Sequence, residues 1–168
     1  MAAPTAGLHF TERVFKELEN KGIKVVPIYL HVGVGTFKPV KTQNVADHKM
    51  DVEYYEIPKG SAVEIEKAKI EGRHIIACGT TSVRALESWR FEDSKRAGGT
   101  ELFIYPGFEF KVIDGMITNF HLPKSTPLIL VSALAGRERI LAAYEEAIRE
   151  RYRFLSYGDA MLILPEIA

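Results

Sequence analysis

Polar side chains crowd the stretch TNFHLPKST, Thr118 to Thr126, where an apolar run ends. Pro123 disfavours helix and pushes Leu122 to an extended shape, so His121 is presented at a strand end. An imidazole there can take and return protons near neutrality. Asn119 and Lys124 beside it can orient a polar substrate. Helix capping explains the other members of the group: Ser125 or Thr126 caps PLILVSALAG, and Pro127 suits its first turn. Capping leaves Asn119, His121 and Lys124 unexplained.

A second concentration is ACGTTSVRALE, where a buried strand breaks at Gly79 and a helix starts within two residues. Thr80 and Thr81 place hydroxyls beside unpaired helix N–H groups, an arrangement that suits a phosphate or carboxylate. Arg84, one turn in, offers a bidentate fork to the same anion. The alternative is that Thr80 only caps the helix and Arg84 pairs with Glu87 or a neighbouring strand. In HVGVGTF, Gly33 and Gly35 are followed by Lys38 where a dinucleotide fingerprint needs a third glycine. They either let backbone approach a bulky ligand or belong to a plain loop. The histidines at 9, 31, 48, 74 and 121 show no metal-ligating spacing, and no G-x-S-x-G elbow is present. His48 and Glu53 share a site only if the backbone kinks between them.

These groups need elements to hold them. Pro, Thr, Gly and His make MAAPTAGLHF read as a site loop. Thr11 can cap a helix over TERVFKELENKG, with Val14, Phe15 and Leu18 on one face and Gly22 as its stop. IKVVPIYLHV reads as a strand weakened by Pro27, and DVEYYEI as a half-buried strand. Ser61 and Glu64 predict a capping box opening SAVEIEKAKIEG, closed by Gly72. RHIIACG is a short apolar strand followed by the helix TTSVRALESW. TELFIYP, FEFKVI and GMITNF predict three strands. STPLILVSALAG and RERILAAYEEAIRERY predict two helices parting near Gly136, and GDAMLIL closes the chain as a strand or turn. Strands alternating with helices argue for one α/β domain over residues 1–168, with a mixed, largely parallel sheet flanked by helices.

Composition sets the bounds. Lys plus Arg and Asp plus Glu both number 22, so no basic field announces a nucleic-acid partner. Arg149, Arg151 and Arg153 make either a local basic patch or a salt-bridged helix end. One cysteine, Cys78, rules out an intrachain disulfide and any multi-Cys zinc site. No apolar run is long enough to span a bilayer, and no signal peptide is apparent, so a cytoplasmic setting is expected.

The blocks AAPTAGLHFT, HVGVGTFKPV, HKMDVEYYEI, GTTSVRALES, LFIYPGFEFKVIDGMITNFHLPKSTPL and YRFLSYGDAMLI together resemble the S-adenosylmethionine:tRNA ribosyltransferase-isomerases of queuosine synthesis. The likeness runs from Ala2 to the C-terminus. In that family the first block lies near mid-chain, so the resemblance is to the C-terminal half only. The part not matched is expected to hold an inserted β-barrel and the first segments of the α/β domain, and to be required for full activity. Asp51 stands where the family's H-x-M-H-x-E block has its second histidine, and Pro127 replaces a more usual leucine.

The resemblance implies transfer and isomerisation of the ribosyl part of S-adenosylmethionine onto a 7-aminomethyl-7-deazaguanine in the tRNA anticodon loop. Epoxyqueuosine forms, adenine and methionine leave, and S-adenosylmethionine is a consumed substrate with no resident cofactor. Within these blocks His9 and His121 are the expected proton-transfer groups, with Glu53 as the carboxylate. Substrate contacts fall on Thr5, Gly7, His31, Gly33, Gly35, Thr36, Asn119, Lys124 and Asp159. The methionine carboxylate or a tRNA phosphate suits Gly79, Thr80, Thr81 and Arg84. The sulfonium suits the aromatic faces of Phe10, Tyr105 and Tyr157. Two rivals remain: a truncated piece without catalysis, and a tRNA-binding module that does not turn over.

Overall fold

The computed structural model describes residues 5–31, 40, 42 and 44–164. Among them, two three-stranded sheets and five α-helices make a mixed α/β fold. The first sheet has the order β1 (Tyr29–His31), β2 (Glu53–Glu56), β4 (Ala97–Thr100) and is antiparallel throughout. The second has the order β3 (Ile76–Cys78), β5 (Gly115–Asn119), β6 (Ala160–Ile163). Here β3 and β5 run parallel, with Cys78 opposite Ile117, while β6 is antiparallel, with Ala160 opposite Asn119. Parallel pairing is therefore confined to β3 and β5 among the described residues. Between β5 and β6 lie two helices, and the chain re-enters the sheet at the end where β5 leaves it.

Helix α3 (Thr80–Trp89) connects the layers. It packs against β1 and β4 of one sheet and β3 and β5 of the other, and eight of its ten residues are buried. Around it Val83, Trp89, Ile57, Ile104, Val112, Met116 and Val131 form the driest part of the core. Two of its buried residues, Arg84 and Glu87, are charged types, and both are fully committed to the surrounding backbone or to a partner, as burial requires.

Local signals set most helix ends. Thr11 caps α1 (Glu12–Asn20) by accepting from the Val14 N–H at 3.4 Å. Gly22, at φ +70°, lets the Ile23 N–H reach back to Leu18. Ser125 caps α4 (Thr126–Ala135) at the Leu128 N–H, and Gly136 at φ +88° separates it from α5 (Arg137–Arg149). The capping box does not form. Helix α2 (Lys59–Ile70) begins two residues before Ser61 and has no side-chain cap. Ser61 instead donates to the Pro27 carbonyl at 2.6 Å, and Glu64 pairs with Lys24 at 2.5 Å. Both residues fasten the lead-in to β1.

Three expected strands are shorter or absent. IKVVPIYLHV contributes only Tyr29–His31 among the described residues, after Pro27. TELFIYP enters β4 only at Thr100, and FEFKVI forms no strand. The cause lies in α3. The Glu87 carboxylate accepts from the N–H groups of Lys111, Val112 and Ile113 at 2.9, 3.0 and 3.0 Å. Donors that a ladder would use are held by one buried side chain, so 101–114 runs as an irregular but anchored segment.

Candidate functional site

Because β3 and β5 are parallel, their carboxyl ends lie together, and the antiparallel β6 brings its amino end to the same place. Ligands of open α/β sheets collect at such strand ends. Three chain segments meet there: Gly79–Thr81, Asn119–His121 and Gly158–Asp159. A fourth, the 3-10 turn Thr5–His9, packs against β5. The Thr5 hydroxyl donates to Asn119 Oδ1 at 2.9 Å. Asn119 Nδ2 donates to the carbonyls of Gly158 and Asp159 at 3.3 and 3.4 Å. His9 Nε2 lies 3.1 Å from the Gly158 carbonyl. A carbonyl only accepts, so Nε2 carries a proton, and among the described residues no hydrogen bond engages Nδ1. Asn119 is thereby the peg that fixes the other segments, with its amide hydrogens and one oxygen lone pair engaged.

The electrostatics differ from residue to residue. Asp159 accepts from the Arg153 backbone N–H at 2.7 Å and its guanidinium at 3.1 Å, which hold its carboxyl below the usual carboxylate range. His9 contributes a smaller effect in the same direction. His121 is turned inward. Its Nε2 lies 2.8 Å from the Thr118 hydroxyl, and its backbone N–H donates to the Tyr144 hydroxyl at 2.7 Å. Burial pushes the His121 imidazole down to about 4, so the ring is neutral at physiological pH.

Other expected site residues sit elsewhere. Arg84 does not present a free fork: its guanidinium is 4% exposed and donates to Glu53, to the Leu102 carbonyl at 2.8 Å and to the Thr100 carbonyl at 3.3 Å. Glu53 is the buried partner of that pair, so its carboxylate neutralises Arg84 and cannot leave without stranding a buried charge. Thr80 is half-buried and Thr81 buried at the start of α3, where Gly79 (φ +90°) is the cap and no side chain caps the helix. His31 is exposed at the end of β1. Gly33, Gly35 and Thr36 lie outside the described residues. Gly7 is exposed with open space around it. Lys124 is exposed at φ +59°, its carbonyl accepting from the Val40 N–H at 2.9 Å. Tyr157 is 87% exposed beside Gly158, while Tyr105 belongs to a turn beyond β4. Arg149 pairs with Glu146 and Glu150, and Arg153 with Asp159, so the salt-bridged alternative describes both.

The sequence profile of the family described as "Queuosine biosynthesis protein" matches residues 1–163. The chain belongs to that family. An S-adenosylmethionine:tRNA ribosyltransferase-isomerase of Carboxydothermus hydrogenoformans is 61% identical over 165 residues, 97% of this chain and 49% of the relative. Its counterpart in Desulforamulus reducens is 56% identical over 166 residues, with the same coverages. The crystal structure of an S-adenosylmethionine tRNA ribosyltransferase from Thermotoga maritima matches with a TM-score of 0.77 at 41% identity. That match covers 95% of this chain and 51% of the other. This queuosine-family chain thus spans about half the length of the relatives it matches.

Four residues of the site in this queuosine-family chain escape a reading of motifs. Thr118 and Tyr144 hold His121, and Glu87 anchors the segment after β4. Gly158 supplies the carbonyl shared by His9 and Asn119. A Cβ at Gly158 would lie 2.3 Å from the Arg153 carbonyl oxygen, so only glycine fits. Its place in YGDA is the one sequence signal among the four. Among the described residues, no cluster of His, Cys, Asp or Glu could hold a metal, and no helix is long and apolar enough to cross a membrane.

Proposed function

We propose that this chain supplies the C-terminal half of an active site acting on tRNA. The site moves the ribosyl part of S-adenosylmethionine onto the aminomethyl group of a 7-deazaguanine base in the anticodon. The unit isomerises to an epoxycyclopentanediol, giving epoxyqueuosine, and adenine and methionine leave. The observation that carries the reading is the convergence of Thr5–His9, Asn119–His121 and Gly158–Asp159 at one sheet end. The same chain is 61% identical to a relative named for this activity.

The chemistry fits the groups present. A sulfonium acidifies the neighbouring C5′–H, and the attacking amine must also shed protons. His9, exposed and with Nδ1 open, is the base that can reach a bound substrate. The Asp159 carboxylate, kept ionised by Arg153, favours the imidazolium that results. His121, neutral and fixed on Thr118, serves as a positioned hydrogen-bonding group and not as a cationic acid. Tyr157 and Phe10 flank this end of the sheet and offer faces to the sulfonium. The amides at the start of α3 receive a carboxylate or phosphate without help from Arg84. S-adenosylmethionine enters as a consumed substrate, and the reaction asks for no resident cofactor.

Adenine and methionine release with tRNA carrying the aminomethyl base tests the reading. The chain should be assayed alone and joined to the half of its relatives that it does not span. Turnover by the joined protein and little by the chain alone is expected. Binding of tRNA without turnover in either form would favour a binding module instead.

A further inference from the structure

The segment after β4 carries aromatic groups that the sheet-end site does not use. Tyr105, Pro106, Gly107 and Phe108 form a β-turn closed by the Phe108 N–H on the Tyr105 carbonyl at 3.0 Å. Proline followed by a glycine at φ +101° is the order of a type II turn. Tyr105 and Phe108 both line a groove of about 440 Å³. Tyr105, 39% exposed, ends a ladder in which Phe103 lies 5.5 Å from its ring and His48 lies 4.9 Å from Phe103. Arg90 lines the same groove, its guanidinium 5.5 Å from the centre of the Phe108 ring.

Arg90 is held there against local preference. It closes α3 at φ +48° and Phe91 follows at φ +64°, so two consecutive residues with side chains occupy the left-handed region where glycine normally ends a helix. Arg90 Nε donates to the Glu87 carbonyl at 2.8 Å, which aims the rest of the fork outward. The nearby carboxylate of Glu109 pairs with Lys111 at 2.7 Å, and among the described residues no carboxylate pairs with Arg90. Below, the Glu87 carboxylate fixes the returning limb of this irregular segment at Lys111 to Ile113. The result is an exposed Tyr105 face beside a half-buried Phe108 ring, with the Arg90 guanidinium over Phe108 and the Glu109 carboxylate close enough to feel its charge.

We propose that this groove stacks an unpaired nucleobase of the RNA substrate, with Tyr105 and Phe108 as the platform and Arg90 reaching the adjoining phosphate. Exposed rings combined with a cation are how proteins hold splayed-out bases of single-stranded loops. The groove lies at the far end of α3 from Gly79, about 15 Å along the helix axis, so it grips RNA flanking the reacting base. The proposal rests on the reading that the chain acts on tRNA, and it names the surface that makes the contact.

Fluorescence anisotropy of the 168-residue chain with a labelled RNA hairpin bearing an unpaired loop, and with a blunt RNA duplex of equal length, tests it. The hairpin should bind more tightly than the duplex. Tyr105→Ala and Arg90→Gly should each weaken hairpin binding roughly tenfold or more, as loss of one stacked base does. Arg90→Gly should melt no lower than the parent, because glycine relieves the left-handed cap. Hairpin binding that both variants leave unchanged would overturn the groove and leave the tRNA reading standing. Equal binding of hairpin and duplex would also overturn the groove. Failure of the parent chain to bind either RNA would overturn the groove, while adenine release would still judge the parent reading separately.

Discussion

His121 shows how one half-buried ring ties stability to pH. Its ordinary value of 6.5 falls to about 4 in the folded protein through burial. Between those values the unfolded chain binds a proton that the folded chain excludes, so stability rises with pH across that window. The contribution is complete above pH 6.5 and is lost as pH falls towards 4. Its ceiling is about 3 kcal/mol, reduced by whatever water reaches the ring. Melting curves from pH 4 to 7 should therefore flatten in His121→Gln relative to the parent; identical slopes would contradict the burial. The Arg84–Glu53 pair makes a second test. Glu53→Gln leaves Arg84 charged and buried, and should cost about 3–5 kcal/mol in denaturant unfolding. The double variant Glu53→Leu with Arg84→Met should recover much of that loss. Sequence spacing showed both residues as candidates for chemistry, because the pairing joins β2 to α3 across 31 positions and leaves no local trace.

At the scale of elements, capping and glycine signals were legible where the interaction is local. Thr11, Ser125, Gly22 and Gly136 bound their helices as their chemistry implies. The misread elements were those governed from a distance. Ser61 looked like a cap but is bonded to Pro27, and FEFKVI looked like a strand but is bonded to Glu87. Glu87 sits inside α3 and nothing in TSVRALES marks it as an acceptor for residues 24 to 26 positions later. Glu87→Ala leaves the Val112 and Ile113 donors buried without their acceptor, at about 1–3 kcal/mol each before relaxation, and frees the less buried Lys111 N–H. Hydrogen exchange should show Lys111, Val112 and Ile113 losing protection while β5 keeps it. Retained protection at all three amides would mean the segment is held by its packing alone.

The whole molecule presents more apolar surface than its own core can cover. None of α1 is buried, and Ile76 and Leu162 lie exposed on the outer face of the second sheet, where Cys78, Ile117 and Leu162 share a register row. Such faces in α/β sheets are normally covered on both sides. The curated relatives extend to about twice the length of this chain. The isolated chain is therefore expected to self-associate in sedimentation velocity, and to become monodisperse when joined to the half it does not span. The α/β class was readable from the alternation of strand and helix signals, whereas the meeting of Thr5, Asn119 and Gly158 rests on side-chain contacts across more than a hundred positions that no local pattern marks. The division into two sheets was not readable either, since it depends on which strands share α3 as their cover. Single-turnover adenine release by the joined protein, with saturating S-adenosylmethionine and tRNA carrying the aminomethyl base, tests the proposed proton transfer at the sheet end. His9→Ala should slow that step by roughly two to four orders of magnitude, the usual cost of losing a general base, while S-adenosylmethionine affinity changes much less. A normal single-turnover rate in the His9→Ala protein would contradict the assignment of the sheet end as the place where the proton moves.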